Sequence, residues 1–378
     1  MKLVIAPDSF KESMTAAEAA AAIRRGVHRV LPDADCVEVP MADGGEGTTD
    51  ALVAALGGRP VAVGTVDALG RPRIGRIGLL PDGVAVLEVA EAVGIALIDV
   101  TRRDVRSSTS RGVADLVRGA LDLGVTRLVV GLGGSATNDG GAGLLVGLGA
   151  RLLDRDGAEV PPLPWRLAEV AAVDLTGLDP RLAATRIDLA CDVTSPLLGP
   201  TGASAVFGPQ KGVAPEQVPV LDDALRRFAD AVEAATGAPV RDVPGAGAAG
   251  GLGFALLGLG ARPRPGAALV ADAAGLAGHL RGADLVLTGE GAIDAQTAAG
   301  KTPAGVADVA ARAGVPVIAF AGRVDPGADA LIGHGFAAIV PILHAGSTLA
   351  DALARGPENL ERAAATVIRL LTLPVPRP

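Results

Sequence analysis

The sequence predicts an α/β protein in which a discontinuous parallel-sheet domain is interrupted by an inserted mixed α/β domain. Both ends of the chain alternate apolar runs, loops and helical patterns, as the strand–helix units of a parallel sheet do. The middle instead begins with short β-rich runs separated by Gly and Pro turns, which is typical of antiparallel strands. We therefore expect a flavodoxin- or Rossmann-like domain from residues 1–60 and 283–378, and an inserted domain from residues 61–282. An active site is expected in the cleft between them.

The first strand–helix units are predicted at the start of the chain. Residues 3–6 form an apolar run that predicts a strand, and residues 15–30 have a helical pattern. This helix is expected to begin with a capping box, because Glu18 follows Thr15 by three residues. A second strand over residues 35–39 leads through a glycine-rich loop to a helix that ends at Leu56.

The inserted segment is predicted to begin with an antiparallel meander between Arg59 and Val93. The Pro-Asp-Gly turn at Pro81–Gly83 is a hairpin signal within it. The remaining elements of the middle segment are expected at helix 110–123, strand 127–130, helix 142–148, strand 187–190 and helix 215–236.

From residue 283 the strand–helix alternation returns. A buried strand is predicted to end at the turn Gly289-Glu290-Gly291. The elements that follow are expected at helix 304–313, strand 315–321, helix 328–333, strand 337–341 and one final helix over residues 349–371.

Composition excludes several classes of protein. Hydrophobic residues make up 49% of the 378 residues, yet no uncharged apolar run reaches the ~18 residues that a membrane helix needs. The formal net charge of -8 and an aromatic content of 2% argue against nucleic-acid binding. With two cysteines and a first segment that enters a strand without a signal peptide, we expect a cytoplasmic protein.

Four loops at predicted strand ends combine a carboxylate with glycine or hydroxyl residues. They are residues 8–11, 43–48, 192–195 and 290–301. Phosphoryl transfer uses this mixture, because carboxylates hold Mg²⁺ and accept a proton while lysine and backbone amides bind phosphate. The glycine-rich segment 131–141 adds a candidate amide cradle. Any single loop is also compatible with a structural turn, since turns favour these residues.

Lysine is scarce in this sequence. Only four of the 34 basic residues are lysine, and three of them, Lys11, Lys211 and Lys301, lie in turn segments. A lysine is a compact point charge suited to phosphate, whereas arginine serves ordinary surface charge here. The three lysines are therefore candidate phosphate or substrate ligands.

Better-known nucleotide motifs are incomplete. Residues 245–250 satisfy G-x-G-x-x-G by letter, but no convincing strand precedes them, so close packing is favoured over a dinucleotide site. Lys301 and Thr302 end like a P-loop, but Ala295 stands where its first glycine belongs. The histidines show no metal spacing, and Cys191 is interpreted as a small packed residue rather than a nucleophile.

Taken together, the motifs resemble the bacterial glycerate kinases of the class that lacks a P-loop. The resemblance runs in order along nearly the whole chain and is carried by APDSFKES (6–13), MADGGEGT (41–48), GLGGSATNDGGAG (131–143), ACDVTSPLLG (190–199), VFGPQKG (206–212), GAGAAGGLGF (245–254) and TGEGAIDAQTAAGKTPAGVA (288–307). It implies ATP- and Mg²⁺-dependent phosphorylation of D-glycerate, usually to 2-phosphoglycerate. We expect a monomer or homodimer.

These motifs assign hypothetical roles. Asp192 or Asp294 accepts the proton of a glycerate hydroxyl, and Asp43 and Glu290 hold Mg²⁺. Lys11 and Lys301 act in catalysis by neutralising the phosphoryl group or the substrate carboxylate, as Lys211 is also expected to do. The candidate substrate- and phosphate-binding residues are Asp8, Ser9, Gly44, Gly45, Gly47, Thr48, Gly133, Gly134, Ser135, Asn138, Asp139, Lys211 and Thr288.

Two alternatives remain open at this point. The protein is either a kinase for a related hydroxy acid or a metabolite-binding regulator that has lost catalysis. The presence of all three motif lysines argues against the regulator.

Overall fold

The computed structural model of the chain describes residues 1–294, 297, 301–344, 346 and 348–373. It divides into two compact units. The first comprises Met1–Asp43, Asp50–Gly57 and Pro265–Pro378, and the second comprises Gly44–Thr49 and Gly58–Arg264. The expected domain bounds differ from this division at residues 44–49, 58–60 and 265–282.

The strands and helices of the described residues are numbered in chain order. The strands are β1 Lys2–Ile5, β2 Asp35–Glu38, β3 Arg59–Val66, β4 Pro72–Leu80, β5 Val84–Glu88, β6 Arg127–Gly131, β7 Arg151–Leu153, β8 Ala172–Asp174, β9 Arg186–Ala190, β10 Arg262–Arg264, β11 Leu285–Ile293, β12 Val317–Val324 and β13 Phe336–Pro341. The α-helices are α1 Ala16–His28, α2 Thr48–Leu56, α3 Ala90–Val93, α4 Arg111–Asp122, α5 Ala142–Gly147, α6 Ala203–Phe207, α7 Val218–Thr236, α8 Ala248–Gly258, α9 Gly266–Ala273, α10 Leu276–His279, α11 Thr302–Ala313, α12 Leu349–Ala354 and α13 Gly356–Thr372.

The first unit is built on a five-stranded sheet in the order β13-β12-β11-β1-β2, with every pairing parallel. The predicted parallel sheet is thereby confirmed. Strand β1 lies between β2 and β11, so it brings the two ends of the chain into one sheet. The loops that follow these three strands therefore meet at the same edge.

Helices α1 and α13 pack closely against each other in the first unit. The predicted capping box at Thr15 and Glu18 is present at the start of α1. A Cβ placed on Gly26 would lie 2.3 Å from the carbonyl oxygen of Glu361, so only glycine permits this approach. The apolar faces of both helices join the core that covers β1, β11 and β12.

The single final helix expected over residues 349–371 is wrong. Two helices, α12 and α13, are separated at Arg355, whose φ of -109° and ψ of 18° are not helical. The cause is Pro357, which has no backbone N–H to bond the carbonyl of Leu353 and whose ring would clash with that carbonyl in a continuous helix. The expected helix at 328–333 forms as a 3₁₀-helix, Ala328–His334.

The second unit is built on a six-stranded mixed sheet in the order β10-β9-β6-β5-β4-β3. Strands β3, β4 and β5 form the predicted antiparallel meander, while β5, β6, β9 and β10 pair in parallel. The Pro81–Gly83 turn closes the β4–β5 hairpin through positive φ angles at Asp82 (60°) and Gly83 (70°).

The glycine-rich block at residues 245–253 serves close packing. A Cβ on Gly250 would lie 1.8 Å from the carbonyl oxygen of Thr137, and one on Gly251 would lie 2.6 Å from the Cα of Gly140. The start of α8 thus lies directly against the 131–141 segment, in keeping with the packing interpretation of the motif. Among the residues described, no helix is long and apolar enough to cross a membrane.

Candidate functional site

Three carboxylates gather at the carboxyl edge of the sheet in the first unit. Asp8 follows β1, Asp43 follows β2, and Glu290 lies in the last part of β11. The backbone N–H of Asp8 donates to the carbonyl of Gly289 at 2.8 Å, which ties the loop after β1 to β11. We call Asp8, Asp43 and Glu290 the acidic cluster.

Two members of the acidic cluster, Asp8 and Glu290, have raised pKa values. Burial, followed by repulsion from Asp43, raises the pKa of Asp8 to about 6, although the Thr302 hydroxyl (2.5 Å) and the Ser9 N–H (2.6 Å) donate to it. Burial also raises the pKa of Glu290 to about 7, against the lowering effect of Lys301 and with further repulsion from Asp8 and Asp43. A pKa displaced this far at a strand end is typical of a functional site.

Lys301 lies beside Glu290. Its Nζ lies 3.8 Å from Oε2 of Glu290 and 3.5 Å from Oδ2 of Asp294. Asp294 also accepts a hydrogen bond from the backbone N–H of Thr297 at 3.1 Å. Lys301 and Asp294 therefore form one cross-linked turn beside the acidic cluster. Ala295, on which the P-loop motif fails, lies outside the described residues.

The other expected site residues of the first unit have different surroundings. Lys11 is exposed, and its charge weakly lowers the pKa of Asp8. Ser9 is half-buried beside Asp8. Thr288 is buried, and its hydroxyl donates to the carbonyl of Ala6 at 2.7 Å, so this side chain joins β11 to the end of β1.

In the second unit, the loop Gly44–Thr49 lies across the carboxyl ends of the parallel strands. A Cβ on Gly44 would lie 2.5 Å from the Cβ of Ala190, at the end of β9. A Cβ on Gly131, at the end of β6, would lie 2.5 Å from the carbonyl of Gly44, and one on Gly133 would lie 3.0 Å from the Cα of Gly45. Glycine at these positions lets two backbone segments approach directly.

Glu88, at the end of β5, is a site residue that the sequence interpretation missed. Its carboxylate accepts hydrogen bonds from the backbone N–H groups of Gly47 (3.2 Å) and Thr49 (2.7 Å), and burial raises its pKa. Thr48 is buried, and its hydroxyl donates to the carbonyl of Gly45 at 2.8 Å. The signal in the sequence is the carboxylate that ends the apolar run of residues 84–88.

Asp139 organises the glycine-rich segment from within. It is fully buried and accepts hydrogen bonds from the N–H (2.7 Å) and hydroxyl (2.8 Å) of Ser110 and from the N–H groups of Gly141 (3.1 Å) and Gly143 (3.0 Å). Burial raises its pKa. Because its oxygens are occupied by the protein, Asp139 shapes the loop rather than binding a ligand.

Lys211 is buried beneath the same segment, with 2% of its surface exposed. Its Nζ donates to the hydroxyl of Ser135 at 3.0 Å and to the carbonyl of Thr137 at 2.7 Å. Burial lowers the pKa of Lys211 to about 7, while the charge of Asp139 acts in the opposite direction. The buried ammonium group therefore stabilises the glycine-rich segment 131–141 through these two hydrogen bonds.

Three further predicted residues lie at this edge. The Asn138 amide donates to the hydroxyl of Ser204 at 2.9 Å, and its buried Oδ1 has no hydrogen-bond partner among the described residues. Gly134 adopts a left-handed φ of 70°. Asp192 comes two residues after the end of β9 and is exposed. The second unit thus combines backbone amides, one buried cation and one exposed carboxylate.

The described residues contain no group of three or more His, Cys, Asp or Glu side chains that could hold a metal ion by themselves. Mg²⁺ is commonly bound by only one or two carboxylates, with water and substrate phosphates completing its shell. The acidic cluster supplies such carboxylates, and their mutual repulsion is what a divalent cation would relieve. The donor set therefore fits Mg²⁺.

Comparisons with known proteins agree along the whole chain. A family model described as the glycerate kinase family matches residues 3–372. A Bacillus subtilis (strain 168) protein named glycerate kinase is 46% identical over 375 residues, covering 99% of this chain and 98% of the relative. An Escherichia coli (strain K12) protein named glycerate 2-kinase is 43% identical over 375 residues, with coverage of 99% and 98%.

A solved structure is also similar. It comes from Salmonella typhimurium LT2, is described as a candidate glycerate kinase 2, and matches with a TM-score of 0.89 and 46% identity. The match covers 98% of both chains. The chain therefore belongs to the glycerate kinase family and is a kinase.

Proposed function

We propose that the protein transfers the γ-phosphoryl group of ATP to a hydroxyl of D-glycerate and releases ADP and 2-phosphoglycerate. The observation that carries this proposal is the acidic cluster, in which the raised pKa values of Asp8 and Glu290 support a functional edge in a chain of the glycerate kinase family. The E. coli relative named glycerate 2-kinase supports the 2-phosphoglycerate product.

Asp43 and Glu290 are proposed to hold Mg²⁺. Bound there, the cation would neutralise negative charge on the phosphates of ATP. Burial and the charge of Asp43 raise the pKa of Asp8 to about 6, and a cation held by this pair would favour the ionised form of Asp8. Lys301, which is within 3.8 Å of Glu290, keeps the glutamate available as a carboxylate by lowering its pKa.

The glycine-rich edge of the second unit is proposed to bind phosphate. Backbone N–H groups of residues 44–46 and 133–135 are the donors, in loops that only glycine allows to approach each other, whereas the N–H of Gly47 donates to Glu88. Lys211 anchors Ser135 and Thr137 through hydrogen bonds from its Nζ. It also adds positive charge in a buried, low-dielectric position. Lys211 therefore acts on phosphate through the loop.

Asp192 is the proposed general base. Asp294 shares its turn with Lys301 at 3.5 Å and with Thr297, which suits a positioning role. Asp192 is exposed at the end of a parallel strand, where a substrate hydroxyl can reach it. It would take the hydroxyl proton as the oxygen bonds to the γ-phosphorus and the bond to the β–γ bridging oxygen breaks.

A coupled ADP-release assay over D-glycerate, tartronate and a larger sugar acid tests this proposal. We expect the highest kcat/KM with D-glycerate, and phosphorus NMR of the product should show 2-phosphoglycerate. A preference for another hydroxy acid would replace the substrate assignment. Ligand binding without ADP release from any of them would favour the regulator.

A further inference from the structure

A cavity in the first unit lies among residues for which the proposed reaction gives no role. Its volume is ≈ 620 Å³, within the range of small-molecule sites. It is lined by Arg29, His344, Gly346, Asp351, Arg355, Glu358, Asn359 and Arg362. Neither the acidic cluster nor Lys301 contributes to this lining.

One face of α13 forms the main wall of the cavity. Glu358, Asn359 and Arg362 line the cavity from the first two turns of α13, and Arg355 lies at the break just before this helix begins. Of these four residues only Asn359 is buried, in a helix whose other buried positions are chiefly Ala, Leu, Val and Ile.

Several polar groups in this wall lack partners. Asn359 is 7% exposed, and its side chain forms no hydrogen bond with the described part of the chain. Because Asn359 lines the cavity, its amide is placed to bond a ligand or water there. The Arg355 side chain likewise has no partner among the residues described. Helix α13 begins beside it without a side-chain cap, so its first N–H groups and positive dipole end favour an anion.

The other charged groups define the ligand further. Arg362 donates to the carbonyl of Ile342 at 2.7 Å, which orients its guanidinium and leaves other N–H groups for a ligand. Arg29 is already paired with Glu361 at 3.1 Å, and Asp351 accepts from the Thr348 hydroxyl at 2.6 Å. Glu358 remains as an acceptor beside the two available arginines.

We propose that this cavity binds a small hydroxylated oxyanion, either a phosphate ester or a carboxylate. Arg355 and Arg362 take the anionic group together with the start of α13, Asn359 donates its amide, and Glu358 accepts from a ligand hydroxyl. The site is independent of the proposed kinase reaction, because none of its residues belongs to that machinery.

The test follows the side-chain Nε–Hε signals of ¹⁵N-labelled arginine in the full-length protein. Inorganic phosphate, glycerol phosphate and tartrate are titrated separately, so that phosphate esters and carboxylates are distinguished. We expect saturable shifts of the Arg355 and Arg362 signals, with glycerol phosphate or tartrate binding more tightly than inorganic phosphate. Arg355→Ala and Asn359→Leu should each weaken the better ligand about tenfold or more.

The matched control is Arg369→Ala, which removes an exposed arginine from the same helix outside the cavity. It should bind like the wild type. Arg355→Lys preserves the charge and should retain part of the affinity even if the alanine variant folds poorly. The proposal is overturned if no probe gives saturable shifts of Arg355 and Arg362, or if Arg355→Ala and Asn359→Leu bind as tightly as Arg369→Ala. Equal affinity for all three probes would remove the hydroxyl requirement.

Discussion

The two sheets of this protein place opposite chemistry at their carboxyl edges. In the first unit, burial and neighbouring acids raise the pKa of Asp8 and of Glu290, and Lys301 lies beside Glu290. In the second unit, the buried acids Glu88 and Asp139 are satisfied by backbone N–H groups, and Lys211 supports a loop of glycines. For the first edge we propose a metal cation, and for the second we propose phosphate.

The sharpest contrast is between the two candidate bases, one from each unit. Asp192→Asn should lower kcat by about 10²–10⁴-fold with little change in KM, because only the transition state gains from proton transfer. Asp294→Asn should cost less and should act mainly through Lys301, its partner at 3.5 Å. Single-turnover kinetics of both variants would check this. A larger loss of kcat in Asp294→Asn than in Asp192→Asn would reverse the assignment.

We expect Glu290 in the acidic cluster to lower the stability of the metal-free protein and to strengthen metal binding. Glu290 ordinarily titrates near 4.5, and its pKa here is about 7. The contribution of Glu290 to the free energy of unfolding is therefore fully present below about pH 4.5 and is lost as the pH rises through 7. Glu290→Gln should then raise the free energy of unfolding at pH 8 by about 1–3 kcal/mol in EDTA, with little gain near pH 4.5.

Activity should change in the opposite direction. Glu290→Gln should raise the Mg²⁺ concentration needed for half-maximal rate by about tenfold or more, and Mg²⁺ should stabilise the variant less than the wild type. Urea unfolding at the two pH values, with and without Mg²⁺, measures both effects. Glu216→Gln, at an exposed position of the second unit, is the control. A variant that is no more stable at pH 8 and responds normally to Mg²⁺ would contradict the assignment.

Substitution of Lys211 tests the proposed phosphate-binding edge of the second unit. Lys211→Met should raise KM for ATP about tenfold, because the loop at Ser135 and Thr137 loses its anchor and a buried charge. The pKa of about 7 means that this charge is lost as the pH rises through neutrality. In the wild type, kcat/KM for ATP should therefore contain a decline above about pH 7 that Lys211→Met lacks.

Arginine should not substitute well for Lys211, since its planar fork is larger and the site is 2% exposed. Lys2→Met, which removes a lysine bonded to the carbonyl of Arg281, should leave KM for ATP unchanged. Normal ATP kinetics in Lys211→Met, with the same pH profile as the wild type, would assign Lys211 a purely structural role.

The contrast also explains what could be predicted from the sequence. Asp8, Asp43 and Glu290 were predictable as neighbours, because each follows or ends a strand of a parallel sheet. The burial of Lys211 was not, since a lysine in a glycine-rich turn normally indicates a solvent-exposed charge. Glu88 was missed because its role depends on a loop almost forty residues earlier in the chain. The helix break at Arg355 could have been predicted, because the sequence has a proline at position 357.

The smallest expected effects come from two glycines of the loop Gly44–Thr49. Gly44 and Gly47 both have left-handed φ angles, 87° and 91°, so alanine introduces backbone strain of about 1–2 kcal/mol at either position. The two positions differ in the space available for a Cβ atom. A Cβ on Gly44 would meet the Cβ of Ala190 at 2.5 Å, whereas one on Gly47 would have nothing within 4 Å. The pair therefore separates strain from contact.

Gly44→Ala should lower the free energy of unfolding by about 2–4 kcal/mol, since overpacking adds to the strain, and Gly47→Ala by only about 1–2 kcal/mol. Urea unfolding measures both. If the loop's contact with the end of β9 also positions Asp192, two residues beyond Ala190, Gly44→Ala should reduce kcat more than Gly47→Ala does under conditions in which both are folded. Equal losses of stability in the two variants would show that the approach of Gly44 to Ala190 is not a tight one.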